Sequence, residues 1–408
     1  MKCGLLGGKL GHSYSPQIHS FLGEYSYTLF EKAPCELEDF LKHGDFTGLN
    51  VTIPYKKDVI PYCDVLSPVA LQLGAVNTIL RRQDGSLIGH NSDLFGFSSM
   101  VKHSGIAVSG KKVLVLGSGG ASNTAVFALK EMGADIVVIS RKGENHYNNL
   151  NRHADAAVIV NATPVGMYPH VGVSPVSLNL FPKLEGVIDL IYNPSRTQLL
   201  LDAEDLGIPC CNGLWMLVAQ AVESAQWFTG QPISESVIPK IYRILQQQME
   251  NIVLIGMPGC GKSTIGKLLA QQLHKEFIDA DICIEEEAGC TIPEIFSNGG
   301  EEAFRKLESQ VLEKLGKRSC AVIATGGGCV TKSENYPYLH QNGTIIWIKR
   351  DISSLVTDGR PLSKKGNLDQ MYSKRQPLYL AFADMIVENN GSVTDAIQRI
   401  CCQLEVEP

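Results

Sequence analysis

Short apolar runs alternate with segments whose apolar positions recur three and four apart along nearly the whole chain. The runs that read as strands are Lys2–Leu6, Gly48–Ile53, Lys112–Leu116, Asp135–Ser140, Val158–Asn161, Gly186–Ile191, Asn251–Ile255, Ser319–Ala324 and Thr344–Ile348. Between them, Ile265–Leu273 has helical periodicity. So does Ser234–Gln248, with Val237, Ile238, Ile241, Ile244 and Leu245 on one face. This alternation predicts an α/β protein built from parallel sheets covered by helices. The Ser234–Gln248 helix runs almost directly into the strand at Asn251, so Met249-Glu250 is the best boundary and leaves no room for a long tether.

At 408 residues the chain exceeds one ordinary core and predicts two or three domains. An apolar fraction of 44%, with 19% charged residues, is that of a globular protein. The formal charge of -6 argues against general affinity for nucleic acid or anionic membrane. The 12 cysteines include no C-x-x-C spacing, so reduced thiols are expected rather than a metal knot or disulfide framework. No apolar run has bilayer length, and Met1–Gly8 passes straight into a strand, which predicts a cytoplasmic protein without a signal peptide.

Two glycine-rich turns carry the strongest chemical signals. Gly256-Met257-Pro258-Gly259-Cys260-Gly261-Lys262-Ser263-Thr264 is a complete G-x-x-x-x-G-K-[ST] phosphate loop between an apolar strand and a helix. Its backbone amides are expected to cradle phosphates, Lys262 to bridge the β and γ groups, and the Ser263 hydroxyl to bind Mg²⁺. Upstream, Val113–Leu116 leads into Gly117-Ser118-Gly119-Gly120-Ala121-Ser122, close to the dinucleotide pattern with Ser122 in place of the third glycine. It reads either as a pyrophosphate-binding turn or as a tight βα turn without a ligand. The next strand ends in Ser140-Arg141-Lys142, and two cations there suit a 2′-phosphate, favouring NADP over NAD. A solvated basic strand end is the bland alternative.

The N-terminal part holds a third set of polar residues. Gly11–Pro16 places two hydroxyls around a turn, Asn50–Lys56 ends a strand with Thr52 and then Lys56, and Gly74–Thr78 and Gly89–Asp93 add amides and a carboxylate. Singly these are capping and turn residues. Together they form a polar wall suited to a polyhydroxylated acid whose ketone needs a proton donor. With Asn161–Met167 and Gly213–Gln220, these landmarks make residues 1 to about 248 resemble shikimate dehydrogenase. The resemblance implies that Ser13 and Ser15 hold the substrate carboxylate near Tyr192, and that Thr52, Asn77, Asp93 and Gln220 bind ring hydroxyls. It further implies that Lys56 and Asp93 flank the reacting oxygen, that Arg141 meets the 2′-phosphate, and that Met216 lies near the nicotinamide beside Gly213. Two departures are visible: the segment after Ser15-Pro16 is short, and the usual N-T-D reads Asn91-Ser92-Asp93.

Downstream of the phosphate loop, Phe277–Asp281 is expected to end a strand with Asp279 and Asp281 pointing to one side. Gly300–Glu308 supplies Arg305 on a helix, Thr325-Gly326-Gly327-Gly328 permits close backbone approach, and Arg360 and Arg375 add cations. A kinase for a small hydroxy acid needs such a set, although Arg305 with Glu308 also fits a plain helix-surface pair. From about residue 250 the chain resembles shikimate kinase. The resemblance implies that Asp279 acts with Ser263 on Mg²⁺, and that Asp281, Arg305, Gly327 and Arg375 hold shikimate. Asp281 would orient or deprotonate the acceptor hydroxyl, and Arg360 would be the lid arginine. Ile352–Asp358 lacks the second lid-region arginine common in that family.

The two resemblances imply a two-lobed dehydrogenase followed by a kinase. Residues 1–98, completed by 213–248, form a substrate lobe; 99–212 form a Rossmann-like NADP lobe; and 250–408 form a P-loop domain with a parallel sheet. Such an enzyme reduces 3-dehydroshikimate with NADPH and phosphorylates shikimate with Mg-ATP, with no nucleic-acid or membrane partner. The alternatives are a shikimate/quinate dehydrogenase with relaxed substrate choice, or a dehydrogenase fused to a kinase-like module that binds without catalysis. Oligomeric state is not legible in the sequence.

Overall fold

Every strand expected from an apolar run is present in the computed structural model, which describes residues 1–11, 13–355 and 368–404. The strands form three sheets, in two compact units. The first unit comprises Met1–Met167, Val173–Tyr192 and Asp202–Leu245; the second comprises Tyr168–Gly172, Asn193–Leu201 and Gln246–Pro408.

The first unit opens with β1 (Lys2–Gly7), β2 (Ser26–Glu31), β3 (Gly48–Val51), β4 (Val65–Leu66), β5 (Thr78–Arg81) and β6 (Leu87–His90), in the order β2-β1-β3-β5-β6-β4. This sheet is mixed, which corrects the all-parallel expectation: β5 runs antiparallel to both β3 and β6. The reason is local. Arg82–Ser86 makes a tight reversal, with Gly85 at φ 88° and the Asp84 carboxylate accepting from the Ser86 amide at 3.0 Å. The strands β5 and β6 hold only two adjacent apolar residues each, Ile79-Leu80 and Leu87-Ile88, too few to stand out as strands. Leu6, Leu49, Val51, Val76 and Ile79 fill the core beneath, and each such side chain contributes about 1.5–3 kcal/mol by leaving water. Despite the short segment after Pro16, a helix does form at Ser15–Ser20, burying Ile18 and His19.

The second sheet contains β7 (Lys112–Leu116), β8 (Asp135–Ile139), β9 (Val158–Asn161), β10 (Gly186–Asp189) and β11 (Cys210–Cys211), in the order β11-β10-β9-β7-β8. All its pairs are parallel. The helices Asp93–Ser104 and Leu214–Thr229 cross closely: a Cβ on Gly96 would lie 2.8 Å from the Met216 carbonyl oxygen.

In the second unit, β12 (Asn251–Ile255), β13 (Glu276–Asp279), β14 (Ala321–Ala324), β15 (Gly343–Lys349) and β16 (Met385–Glu388) form a parallel sheet ordered β13-β14-β12-β15-β16. All five residues of β12 are buried, as expected of a strand covered on both faces, and this is why it reads as a continuous apolar run. The strand before the acid pair stops at Asp279, and Asp281 belongs to the following helix, Ala280–Ala288. The cause is a cap: the Asp279 side chain accepts from the Asp281 amide at 3.1 Å, which starts the helix at once. The helix Ile292–Gly316 is kinked at Gly300, whose φ of 70° suits only glycine well.

Candidate active sites

In the first unit, strand ends and one helix start converge on a polar cluster. Lys56 follows β3, and Asp93 is the first residue of the helix Asp93–Ser104, where the helix dipole favours a carboxylate. Lys56 Nζ donates to Asp93 Oδ2 at 2.6 Å, and both side chains keep partial access to solvent. Asn77, between β3 and β6 in the fold, donates through Nδ2 to Asp93 Oδ1 at 2.9 Å and to Ser92 Oγ at 3.0 Å. Its Oδ1 accepts from the Ser92 amide at 2.7 Å and from Thr78 Oγ1 at 3.0 Å. Both ends of the Asn77 amide are therefore committed, which fixes its orientation and that of the acid beside it.

Behind this cluster lies Ser224, fully buried on the helix Leu214–Thr229. Its hydroxyl lies 2.9 Å from Ser92 Oγ and 3.1 Å from Thr78 Oγ1, accepts from Asn50 Nδ2 at 2.7 Å, and donates to the Gln220 carbonyl at 2.8 Å. Sequence reasoning missed Ser224; its only signal is its position one helical turn beyond Gln220. Gln220 itself reaches the cluster through Ser92 at 3.4 Å. The chain of contacts continues through Asn50, whose Oδ1 accepts from the hydroxyl of half-buried Tyr27 at 2.8 Å.

Ser13 and Ser15 lie on one turn, the Ser15 amide donating to Ser13 Oγ at 3.2 Å. Between them Tyr14 meets the Tyr192 ring edge-on at 6.3 Å, and burial pushes the Tyr192 hydroxyl above its ordinary range. Thr52 is fixed through its amide to the Leu6 carbonyl at 2.9 Å. Thr52 and Lys56 follow β3, Asn77 precedes β5 and Asp93 follows β6, so these groups gather at one end of the β3-β5-β6 part of the sheet.

The glycine-rich turn after β7 has the features of an anion cradle. Gly117 has φ 108°, and a Cβ there would press within 3.1 Å of the Ala162 carbonyl oxygen. Gly119 and Gly120 face open space, Ser118 and Ala121 are exposed, and the helix Gly120–Glu131 points its N-terminus at the gap. Ser122, in place of the third glycine, is buried and donates to the Gly117 carbonyl at 2.7 Å, so it closes the turn without filling the cradle. Beside it, at the end of β8, the Ser140 side chain bonds back to the Lys142 carbonyl while Arg141 and Lys142 stay exposed. Gly213 has a packing reason: a Cβ would sit 2.0 Å from the Leu190 carbonyl oxygen. Met216 follows it on the helix Leu214–Thr229.

In the second unit a cavity of about 760 Å³ opens at the carboxyl ends of the sheet strands. The phosphate loop forms one wall. Gly256, Gly259 and Gly261 all have positive φ, and Gly256 packs so closely that a Cβ would lie 2.5 Å from the Ile348 carbonyl oxygen. Cys260 is buried under the loop, while Lys262 Nζ donates to the carbonyls of Gly256 at 2.9 Å and Met257 at 3.1 Å. Ser263 and Thr264 start the helix Lys262–Gln272, and Ser263 Oγ donates to Asp279 Oδ2 at 2.8 Å. A hydroxyl and a carboxylate in contact beside a phosphate cradle fit the donor set of a hard divalent cation.

The opposite wall carries Asp281, Arg305, Glu308, Arg375 and the Gly326–Gly328 turn. Arg305 Nη1 donates to Glu308 Oε2 at 2.7 Å and Nη2 to Glu301 Oε1 at 3.2 Å. The helix-surface reading is excluded, because Arg305 and Glu308 side chains are only 7% and 1% exposed. Burial pushes the Glu308 carboxyl above the usual carboxylate range although Arg305 pulls it down. Glu308 Oε1 is buried without a hydrogen-bond partner. A Cβ on Gly326 would lie 2.8 Å from that oxygen and 2.9 Å from Asp281 Oδ1, and one on Gly328 would lie 2.1 Å from Arg305 Nη2. The glycine triplet is therefore what lets these charges approach the backbone. Arg375 and the buried Tyr379 both donate to the Gly327 carbonyl, at 3.0 and 2.5 Å. Arg360 lies outside the described residues.

Comparison with known proteins matches both units. Residues 5–79 fit the family model for the shikimate dehydrogenase substrate-binding domain, and residues 258–405 fit that for shikimate kinase. A shikimate dehydrogenase (NADP(+)) of Clostridium perfringens is 35% identical over 265 residues, 60% of this chain and 97% of that protein. Among solved structures, shikimate dehydrogenase 1 from Peptoclostridium difficile is 41% identical with a TM-score of 0.55, spanning 60% of this chain and 97% of that one. The Thermus thermophilus shikimate 5-dehydrogenase in complex with NADP(H) and shikimate is 32% identical with a TM-score of 0.55, spanning 60% and 99%. This chain belongs to the shikimate dehydrogenase family and carries a shikimate kinase domain in its C-terminal part.

Proposed function

We propose that the chain catalyses two consecutive steps: reduction of 3-dehydroshikimate to shikimate with NADPH, and phosphorylation of shikimate with Mg-ATP to shikimate 3-phosphate. The observation that carries this reading is one chain holding both a part-exposed Lys56–Asp93 pair and a phosphate loop facing a carboxylate and two arginines. Residues 1–98 with 213–248 would form the substrate lobe, 99–212 the NADP lobe, and 250–408 the kinase.

In the first step, Ser13, Ser15 and Tyr192 would hold the substrate carboxylate, and Thr52, Asn77 and Gln220 its hydroxyls. Bound NADPH would supply the hydride, with Met216 beside its nicotinamide. The Gly117–Ala121 cradle supports pyrophosphate binding, and exposed Arg141, next to Ser140, supports 2′-phosphate recognition. Reduction turns a carbonyl oxygen into an alkoxide. Lys56 would stabilise that charge and donate the proton, with Asp93 holding the ammonium in place.

In the second step, the amides of Gly256–Thr264 and the Lys262 ammonium would bind the nucleotide phosphates. Ser263 and Asp279 would hold Mg²⁺, which neutralises phosphate charge when bound. Arg305, Arg375 and Gly327 would fix shikimate. Asp281 would orient its hydroxyl or accept its proton, and Arg360 would close over the phosphates.

The test is one incubation with 3-dehydroshikimate, NADPH and Mg-ATP, read by mass spectrometry. Shikimate 3-phosphate is expected. Shikimate alone would make the second half a binding module, and neither product would overturn the substrate assignment.

A further inference from the structure

The cations lining the cavity of the second unit differ in one respect. Lys262 is bonded to loop carbonyls, Arg305 to Glu301 and Glu308, and Arg375 to the Gly327 carbonyl. Arg350 also lines the cavity, but among the described residues it has no hydrogen bond or ion pair, and its Nε is buried without a partner. A guanidinium has five N–H donors and no way to lose its charge. Leaving a buried donor unpaired costs about 1–3 kcal/mol, so such a group in a cavity wall points to a ligand that completes it.

The position indicates which ligand. Arg350 directly follows β15, whose neighbour β12 leads into the phosphate loop. The two strand ends touch, since Gly256 packs against the Ile348 carbonyl, two residues before Arg350. The carboxyl ends of parallel strands are where ligands bind in such sheets. Asp281 lies just after β13, the Gly326–Gly328 turn just after β14, and Arg305 on the helix between those strands. Both strands are on the opposite flank of β12 from β15, so the acid-binding residues and Arg350 approach the loop from different sides. A planar fork beside a phosphate cradle, already supplied with a Lys for the terminal groups, matches the polyphosphate of a nucleotide.

We infer that Arg350 is a nucleotide-binding residue that contacts the polyphosphate chain. The inference rests on the reading of this half as an ATP-dependent kinase.

The experiment uses the full chain and isothermal titration calorimetry with Mg-ADP, inorganic tripolyphosphate, adenosine and shikimate as separate probes. Arg350→Gln is expected to weaken Mg-ADP and tripolyphosphate binding about 10- to 100-fold, the range for a charge-assisted contact. Shikimate binding should stay within twofold of wild type, which also shows that the cavity is folded. Arg350→Lys should restore part of the loss, since a point charge still meets phosphate. Unchanged Mg-ADP affinity in Arg350→Gln overturns the inference. Weaker adenosine binding with unchanged tripolyphosphate binding also overturns it, assigning Arg350 to the base. If wild-type protein binds shikimate but no Mg-ADP, the kinase reading itself fails.

Discussion

Lys56 and Asp93 lie 37 positions apart in sequence, yet their charged ends meet at 2.6 Å, with the carboxylate's other oxygen held by Asn77. The lysine comes from the turn after β3, where its carbonyl accepts from the Val76 amide at 2.7 Å, and the acid from a helix start, so both backbones are held by hydrogen bonds. A charge pair fixed this way is pre-oriented before any substrate arrives, which is what electrostatic stabilisation of a developing alkoxide requires.

Lys56→Ala is expected to lower kcat/KM for 3-dehydroshikimate reduction by about 10²–10⁴, the range for a lost general acid. Phosphorylation of supplied shikimate should be unchanged. Lys262→Ala should do the reverse. Separate assays of NADPH oxidation and ADP formation check both, and loss of both activities from either change, in folded protein, would contradict two independent sites.

Ser224→Ala tests the buried hydroxyl node. The change removes the 2.7 Å acceptor of Asn50 Nδ2, which keeps only contacts at 3.4 Å, at a cost of about 1–3 kcal/mol, and takes the 2.9 Å contact from the Ser92 hydroxyl. Because Ser92 braces Asn77, reduction should also slow, chiefly through kcat. Ser224→Cys should recover packing without recovering the rate. Thermal denaturation and steady-state kinetics separate the two effects.

Gly328→Ala should disable the kinase selectively. The added methyl would overlap Arg305 Nη2, so Arg305 must leave Glu308 or the turn must shift. The KM for shikimate is expected to rise at least about tenfold, as loss of one charge-assisted contact implies. NADPH oxidation with 3-dehydroshikimate should be unaffected, and equal loss of both activities would count against this account.

His19 should give the first unit a specific acid sensitivity. It is buried between Tyr27 and Phe228, its Nδ1 lies 2.7 Å from the Tyr25 hydroxyl, and burial lowers its pKa to about 3. The unfolded chain protonates this ring near the ordinary histidine value of 6.5. Between those values the unfolded state binds more protons, so the stability from a neutral His19 is fully present above 6.5. It is lost progressively as pH falls toward 3, by at most about 1.4 kcal/mol per pH unit. Amide hydrogen exchange in β1 should therefore accelerate between pH 6.5 and 4.5, after correction for intrinsic rates. A His19→Phe/Tyr25→Phe double variant should lose most of that extra slope.

The chain's own order of residues already contained the local elements. The runs at Lys112–Leu116 and Asn251–Ile255 are covered on both faces and so read as short continuous apolar runs. Their length, the helical segments that alternate with them and the glycines that follow mark them as parallel strands ending in tight turns. Lys262 and Ser263 could be assigned because phosphate-loop chemistry depends on neighbours in sequence. Other features were settled only by folding. The strands β5 and β6 carry only two adjacent apolar residues each and so do not signal themselves, and a cap at Asp279 moved Asp281 from strand to helix. Arg305 and Glu308, three apart on a helix, look like a surface pair until tertiary packing buries them. Ser224 joins Asn50, Thr78 and Ser92 from more than a hundred positions away. Periodicity and motifs are properties of neighbours along the chain, whereas burial and convergence depend on which distant segments the core brings together.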